Sequence, residues 1–201
     1  MNIFICDFND SFTYNIYSEL KILFPHETIE VIKFDRVLSF LQIMASQRDN
    51  KALIVLGPGP GHPLEYKSLC PSLKLLLENN STYILGICLG HQLIWHMMGY
   101  EVSHAVNARH GVNQKYLLDA CTSELFLLPR RITVQKYNSL TVKLNKNDCE
   151  ALEEKGFYLY LDSHELVMSR HKRLLTYQFH PESIGTTCPQ LFFKPLLNFL
   201  L

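Results

Sequence analysis

An α/β fold is the class this sequence predicts: an open, mostly parallel (mixed) central sheet flanked by helices, with an added antiparallel portion in the second half. Two observations carry it. The first half alternates short apolar runs with longer helix-like stretches, and its runs are apolar at successive positions, as in strands covered on both faces. The second half breaks into short β-type runs joined by brief connections, some of them too close together for parallel crossovers.

In order, Asn2–Cys6 reads as the first strand, and Asp10-Ser11 are placed to cap a helix running to about Leu23. Thr28–Phe34 is a second strand, Val37–Gln47 a helix and Ala52–Leu56 a third strand. Leu64–Leu77 is helical, and Thr82–Leu85 is a buried strand before a Gly-rich turn. Leu93–Met98 continues as a buried helix ended by Gly99. Glu101–Ala105, Gln114–Leu118, Arg131–Tyr137, Gly156–Leu161, Leu166–Arg170 and Leu174–Phe179 read as strands. Gln190–Leu201 is an apolar closing helix, with Pro189 suited to its first turn and Pro195 predicting a kink or an irregular start. No repeat, low-complexity tract or linker interrupts the pattern, so one domain over residues 1–201 is expected.

Composition removes several classes of function. Lys plus Arg number 19 and Asp plus Glu number 19, so no basic field argues for nucleic acid or an acidic membrane. No run of about eighteen apolar residues is present to span a bilayer. The N-terminus enters a strand without the basic and apolar regions of a signal peptide. Six scattered cysteines without a C-x-x-C pair weaken both a zinc site and a disulfide framework, and suit a reducing cytoplasm.

The segment Gly86-Ile87-Cys88-Leu89-Gly90-His91-Gln92 is the most informative. A G-x-C-x-G at a strand-to-helix junction is the thiol form of the nucleophile elbow, whose glycines permit a tight, strained turn. At a helix N-terminus the unpaired N–H groups and the dipole favour a thiolate. Such a nucleophile needs a base, and the base needs an orienting group. Among nine histidines, only His180 leaves a predicted strand end with a carboxylate two residues on, in Gln178-Phe179-His180-Pro181-Glu182. Residues i and i+2 of an extended segment share a side, so Glu182 is placed to hold the His180 ring.

The loop Leu56-Gly57-Pro58-Gly59-Pro60-Gly61-His62-Pro63 follows the third strand. Its backbone can supply one oxyanion donor, with Leu89 N–H as the other; a plain strand-to-helix turn is the alternative reading. It is no P-loop, because the G-K-[ST] ending is absent. Gln92, four residues after Cys88, can face the same pocket; if buried it needs a partner, either substrate or nearby backbone. His91 and His96, at i and i+5, are poorly spaced for a shared metal, and His164-Glu165 does not continue as a zincin motif; no metal site is expected. Cys6 reads as a small core residue.

Taken together, Leu56–Pro63, Gly86–Gln92 and Gln178–Ser183 (Q-F-H-P-E-S) resemble the class I, triad-type glutamine amidotransferases. Asp7-Phe8-Asn9-Asp10-Ser11-Phe12-Thr13 is similar to the D-N-x-D-S-F-T start of the branch holding the glutaminase subunits of anthranilate synthase and aminodeoxychorismate synthase. Tyr137-Asn138-Ser139-Leu140 is similar to that branch's R-Y-H-S-L segment, with Lys136 for Arg and Asn138 for His, and Leu196–Leu200 also fits.

The resemblance implies that Cys88 attacks the side-chain amide of L-glutamine, that Gly59 and Leu89 N–H groups stabilise the oxyanion, that His180 moves protons and that Glu182 orients it. It implies that Gln92 and the backbone around Ser139 and Leu140 bind the α-amino and α-carboxylate groups. Ammonia would pass to a chorismate-binding synthase subunit in a hetero-oligomer; this chain would need no cofactor, the partner using Mg²⁺. Departures fall at His110-Gly111-Val112-Asn113-Gln114, where relatives have H-G-K-[TA]-S, and at Thr176-Tyr177, where they have the Gly of G-x-Q-F-H-P-E-S. Two other readings stay open: a free-standing Cys-dependent γ-glutamyl hydrolase, and a non-catalytic regulatory subunit.

Overall fold

The computed structural model describes residues 2–47, 51–106, 108 and 110–199. Its larger sheet is mixed. Strands β1 (Asn2–Cys6), β2 (Thr28–Ile32), β3 (Ala52–Leu56) and β4 (Thr82–Ile87) are joined by α1 (Thr13–Leu23), α2 (Phe34–Ser46) and α3 (Cys70–Glu78), and α4 (Leu89–Met97) follows β4. The second half contributes β5 (Glu101–His104), β6 (Val112–Leu117), α5 (Ala120–Phe126), β7 (Arg131–Lys136), β8 (Leu140–Lys143), α6 (Lys146–Glu154), β9 (Tyr158–Asp162), β10 (Glu165–His171), β11 (Leu174–Tyr177) and α7 (Gln190–Phe193).

The strand order is β2-β1-β3-β4-β11-β10-β8-β5, with β9 also pairing with β10, while β6 and β7 form a separate two-stranded ribbon. The pairings β1–β2, β1–β3, β3–β4 and β4–β11 are parallel. Those among β5, β8, β9, β10 and β11 are antiparallel, which is the antiparallel portion expected of the second half.

Continuously apolar strands follow from burial on both faces. In β3, Leu53 and Val55 join one apolar cluster while Ala52, Ile54 and Leu56 join the other. The first cluster takes Ile16 and Leu20 of α1 and Phe192 and Phe193 of α7; the second takes Leu41, Leu73 and Trp95 from α2, α3 and α4. Each fully buried Leu or Ile side chain is worth about 1.5–3 kcal/mol relative to exposure.

Several expected elements shift. The residue capping α1 is Phe12, without a side-chain hydrogen bond; Asp10 instead turns the preceding loop by accepting from Phe12 N at 2.8 Å. The stretch expected as one helix over Leu64–Leu77 is a 3₁₀ segment, Pro63–Leu69, followed by α3. The closing segment is α-helical only to Phe193 and then 3₁₀ over Lys194–Phe199, the irregularity that Pro195 predicts. Its last two residues, Leu200 and Leu201, lie outside the described residues. Strand β8 and helices α5 and α6 have no counterpart in the sequence-based expectation.

Candidate active site

Parallel strands β4 and β11 are neighbours, with Ile87 opposite Tyr177, so the residues following each emerge side by side at the carboxyl end of the sheet. Cys88 N donates to Tyr177 O at 2.8 Å, extending the ladder one residue past β4. Cys88 itself takes φ 52° and ψ −102° as the residue preceding α4. That conformation strains any residue with a Cβ, by about 1–3 kcal/mol, and aims the side chain off the sheet.

Close backbone approach holds the turn. A Cβ at Gly90 would meet Leu56 O at 2.0 Å, and Gly90 N donates to Gly57 O at 3.2 Å, so the first turn of α4 lies directly on the end of β3. At Gly59 a Cβ would meet Leu89 Cδ2 at 2.7 Å, which places the Gly-Pro loop against the residue after Cys88. Neither Gly59 N–H nor Leu89 N–H is paired with a carbonyl among the described residues. Leu89 opens α4, where unpaired donors are expected.

His180 and Glu182 are both buried, and His180 Nδ1 lies 2.8 Å from Glu182 Oε1. Burial works to lower the His180 pKa, but the charge of the Cys88 sulfur and a hydrogen bond to it, then the Glu182 hydrogen bond and charge, hold it well above the usual imidazole value. The ring is packed by Tyr137, edge-on at 5.0 Å between centroids, and by Phe12 at 5.1 Å. The segment carrying it is tied to β7: His180 N donates to Gln135 O at 3.0 Å, Gly185 N donates to Gln135 Oε1 at 3.0 Å, and Ser183 Oγ also donates to that oxygen.

The structure thus brings Cys88, His180 and Glu182 together, with Gly59 and Leu89 beside the sulfur-bearing turn. Gln92 is buried too, but its amide donates to Leu140 O at 2.9 Å and Gln178 Oε1 at 3.1 Å, so protein groups satisfy it. Leu140 O accepts in addition from Asn138 Nδ2 at 2.9 Å, and Ser139 O accepts from Ala105 N at 3.0 Å. The carbonyls at the expected substrate-binding segment are therefore engaged within the chain.

Gln178 is a residue whose place the sequence reading did not single out. It is 2% exposed, and its Nε2 lies 3.9 Å from Cys88 Sγ. The alternation that pointed from His180 to Glu182 points equally back to Gln178.

The departures from the resembled motif have local accounts. The Thr176 hydroxyl joins His91 Nδ1 at 2.8 Å, Ser169 Oγ at 2.6 Å and, at 3.4 Å, Trp95 Nε1, all buried behind the elbow helix. Lys136 is buried, 3.8 Å from Glu165 Oε2. Val112, Asn113 and Gln114 lie in β6, opposite Lys136, Gln135 and Val134. Among the described residues there is no group of three or more His, Cys, Asp or Glu able to hold a metal, and no helix long and apolar enough to cross a membrane.

A strained cysteine at the head of a helix, beside a buried histidine–carboxylate pair in the segment that follows the neighbouring parallel strand, defines a cysteine-dependent acyl-transfer class of enzyme site. Comparison with known proteins narrows it. Residues 4–199 match the family model "Glutamine amidotransferase class-I", and the chain belongs to that family. It is 31% identical to anthranilate synthase component 2 of Haemophilus influenzae, covering 100% of this chain and 98% of that one. It spans only part of two other relatives: 32% of the bifunctional protein TrpGD of Thermotoga maritima, at 29% identity over 98% of this chain, and 24% of the aminodeoxychorismate synthase of Streptomyces pristinaespiralis, at 31% over 90%. The glutaminase domain of Trypanosoma brucei CTPS superposes with a TM-score of 0.66 at 13% identity, covering 96% of this chain and 91% of that one, a likeness of fold.

Proposed function

We propose that this amidotransferase hydrolyses L-glutamine through a thioester at Cys88 and delivers the ammonia to a chorismate-binding synthase subunit, for anthranilate or 4-amino-4-deoxychorismate synthesis. The observation that supports the chemistry best is the buried 2.8 Å contact between His180 Nδ1 and Glu182 Oε1, just past the strand whose last residue, Tyr177, bonds the Cys88 amide.

In this reading the Cys88 thiolate attacks the side-chain amide carbon of glutamine, and the carbonyl oxygen becomes an oxyanion facing the N–H groups of Gly59 and Leu89. The His180 imidazolium gives its proton to the amide nitrogen, the C–N bond breaks and ammonia leaves, with a γ-glutamyl thioester on the sulfur. Neutral His180 then takes a proton from water as the oxygen attacks the thioester. The C–S bond breaks, glutamate departs and the thiolate–imidazolium pair returns. Glu182 keeps the ring oriented and favours its charged form. Gln92 and the backbone around Ser139 and Leu140 hold the α-amino and α-carboxylate groups by exchanging bonds they make within the chain for bonds to the substrate.

Support for the acceptor comes from the relatives named above, whose names tie them to anthranilate and aminodeoxychorismate synthases. The test uses the chain coexpressed with a chorismate-binding partner. Cys88→Ala abolishes glutamine-dependent product formation and leaves synthesis from added ammonium salt intact. Unchanged glutamine-dependent synthesis would overturn the proposal.

A further inference from the structure

A second cavity lies at the opposite end of the sheet from Cys88. Thr82 and Leu174, which open β4 and β11, line it together with Met97 and Met98 at the end of α4. Its volume is about 390 Å³, within the range of small-molecule sites. None of the steps proposed for glutamine uses it.

The lining has two chemically distinct parts. Leu77, Met97, Met98 and Phe157 make an apolar floor. The Phe157 ring stacks flat on His171, with centroids 4.2 Å apart and planes 11° from parallel, so one wall is a planar π surface. Methionine thioethers adapt to varied shapes and sit favourably against aromatic rings.

The rim is cationic. Lys74, Lys172 and Arg173 line the cavity, against one carboxylate, Glu78. None of the three cations forms an ion pair among the described residues. Arg173 Nη2 donates to the neutral Asn80 Oδ1 at 2.6 Å, while its Nε is buried without a hydrogen-bond partner among the described residues. A buried donor of a guanidinium left unpaired is costly, and an acceptor entering the cavity would relieve that cost. His171 registers the same imbalance: burial first, then the charges of Lys172 and Arg173, lower its pKa, against a raising hydrogen bond to the Lys155 backbone.

We propose that this cavity is a binding site for a small aromatic carboxylate, its ring on the Met97–Met98–Phe157 floor and its carboxylate at Arg173, Lys74 and Lys172. The floor asks for a flat apolar body, the rim for a planar anion that a guanidinium pairs with bidentately. The site is separate from the glutamine pocket, and its occupancy does not depend on the activity proposed there.

The experiment uses the full chain with methyl-labelled methionine, titrated with 2-naphthoate and, separately, with its uncharged carboxamide. The Met97 and Met98 methyl signals shift saturably with 2-naphthoate, and the carboxamide binds at least tenfold more weakly. Reversing the exposed Lys74 and Lys172 to Glu, which removes no buried group, weakens 2-naphthoate at least tenfold while the methyl spectrum of the free protein stays dispersed. No saturable shift at those two methyls, equal binding of the carboxamide, or indifference to the charge reversal would each overturn the proposal.

Discussion

Glu182 Oε1 is held 2.8 Å from the His180 ring, while its Oε2 is buried with no hydrogen-bond partner among the described residues. A carboxylate so placed needs the neighbouring cation, since an uncompensated buried charge is costly. Glu182→Gln keeps the shape and removes the charge. The His180 pKa then falls, so the alkaline limb of the glutaminase pH–rate profile, where the imidazolium is lost, moves to lower pH. Turnover falls by about 10²-fold. A pH–rate series on the two proteins checks it; an unmoved alkaline limb would leave Glu182 with packing alone. At this scale the sequence was informative. One strand-like alternation placed His180 and Glu182 on one side, and the G-x-C-x-G spacing placed Cys88 at a turn. Gln92 was not decipherable in the same way, because the carbonyl it bonds is 48 residues away in the chain.

Among the elements, the elbow depends on α4 lying against β3 at Gly90. Alanine there would put its Cβ 2.0 Å from Leu56 O, and that atom is backbone, which cannot swing aside. Gly90→Ala is therefore expected to cost about 3 kcal/mol or more and to displace Cys88 as the helix backs away. Gly99→Ala is the control: its φ is +93° but no atom lies within 4 Å, so left-handed strain alone applies, about 1–2 kcal/mol. Urea unfolding of both variants, with glutaminase assays, distinguishes the two costs; equal losses would refute the close-approach account. The elements that went unpredicted share a cause. Strand β8 is four residues of mixed polarity, Leu140-Thr141-Val142-Lys143, and α6 buries only Leu152, so neither carries a distinct apolar pattern. The start of α6 was nonetheless readable: Asn145 Oδ1 accepts from Asp148 N and Asn145 N donates to the Asp148 carboxylate, a capping box written in the sequence. Helix α5 similarly begins at Asp119, whose Oδ1 accepts from Thr122 N at 2.8 Å.

For the molecule as a whole, His91 sets an acid limit. Burial, against a small opposing contribution from the Leu166 backbone, lowers its pKa to about 3, so the folded state holds it neutral beside Thr176. Unfolding frees the ring to protonate at its ordinary value near 6.5. The stabilising contribution is thus present above about pH 6.5 and is lost as pH falls toward 3, by about 2 kcal/mol at pH 5. Urea midpoints should decline from pH 6.5 to pH 5, below the range in which His180, held well above its ordinary pKa, gains stability for the fold as pH falls. His91→Gln should be less stable at pH 8 but flatter on acidification; an equally steep decline would point to other groups. The doubly covered sheet was legible from its apolar runs, whereas the β6–β7 ribbon was not recognisable as separate, because its strands carry the same local pattern as those inside the larger sheet.

That ribbon has a consequence for how long each half of the site persists. The Cys88 amide is bonded inside the central ladder, so its proton should exchange with solvent only when the entire sheet opens. The His180 segment is bonded instead to Gln135 of the separate β6–β7 ribbon, which has no further strand partners and should open at a smaller free energy than the larger sheet. Over time the sulfur is as permanent as the fold, while the imbalance in protection makes the base the half that comes and goes.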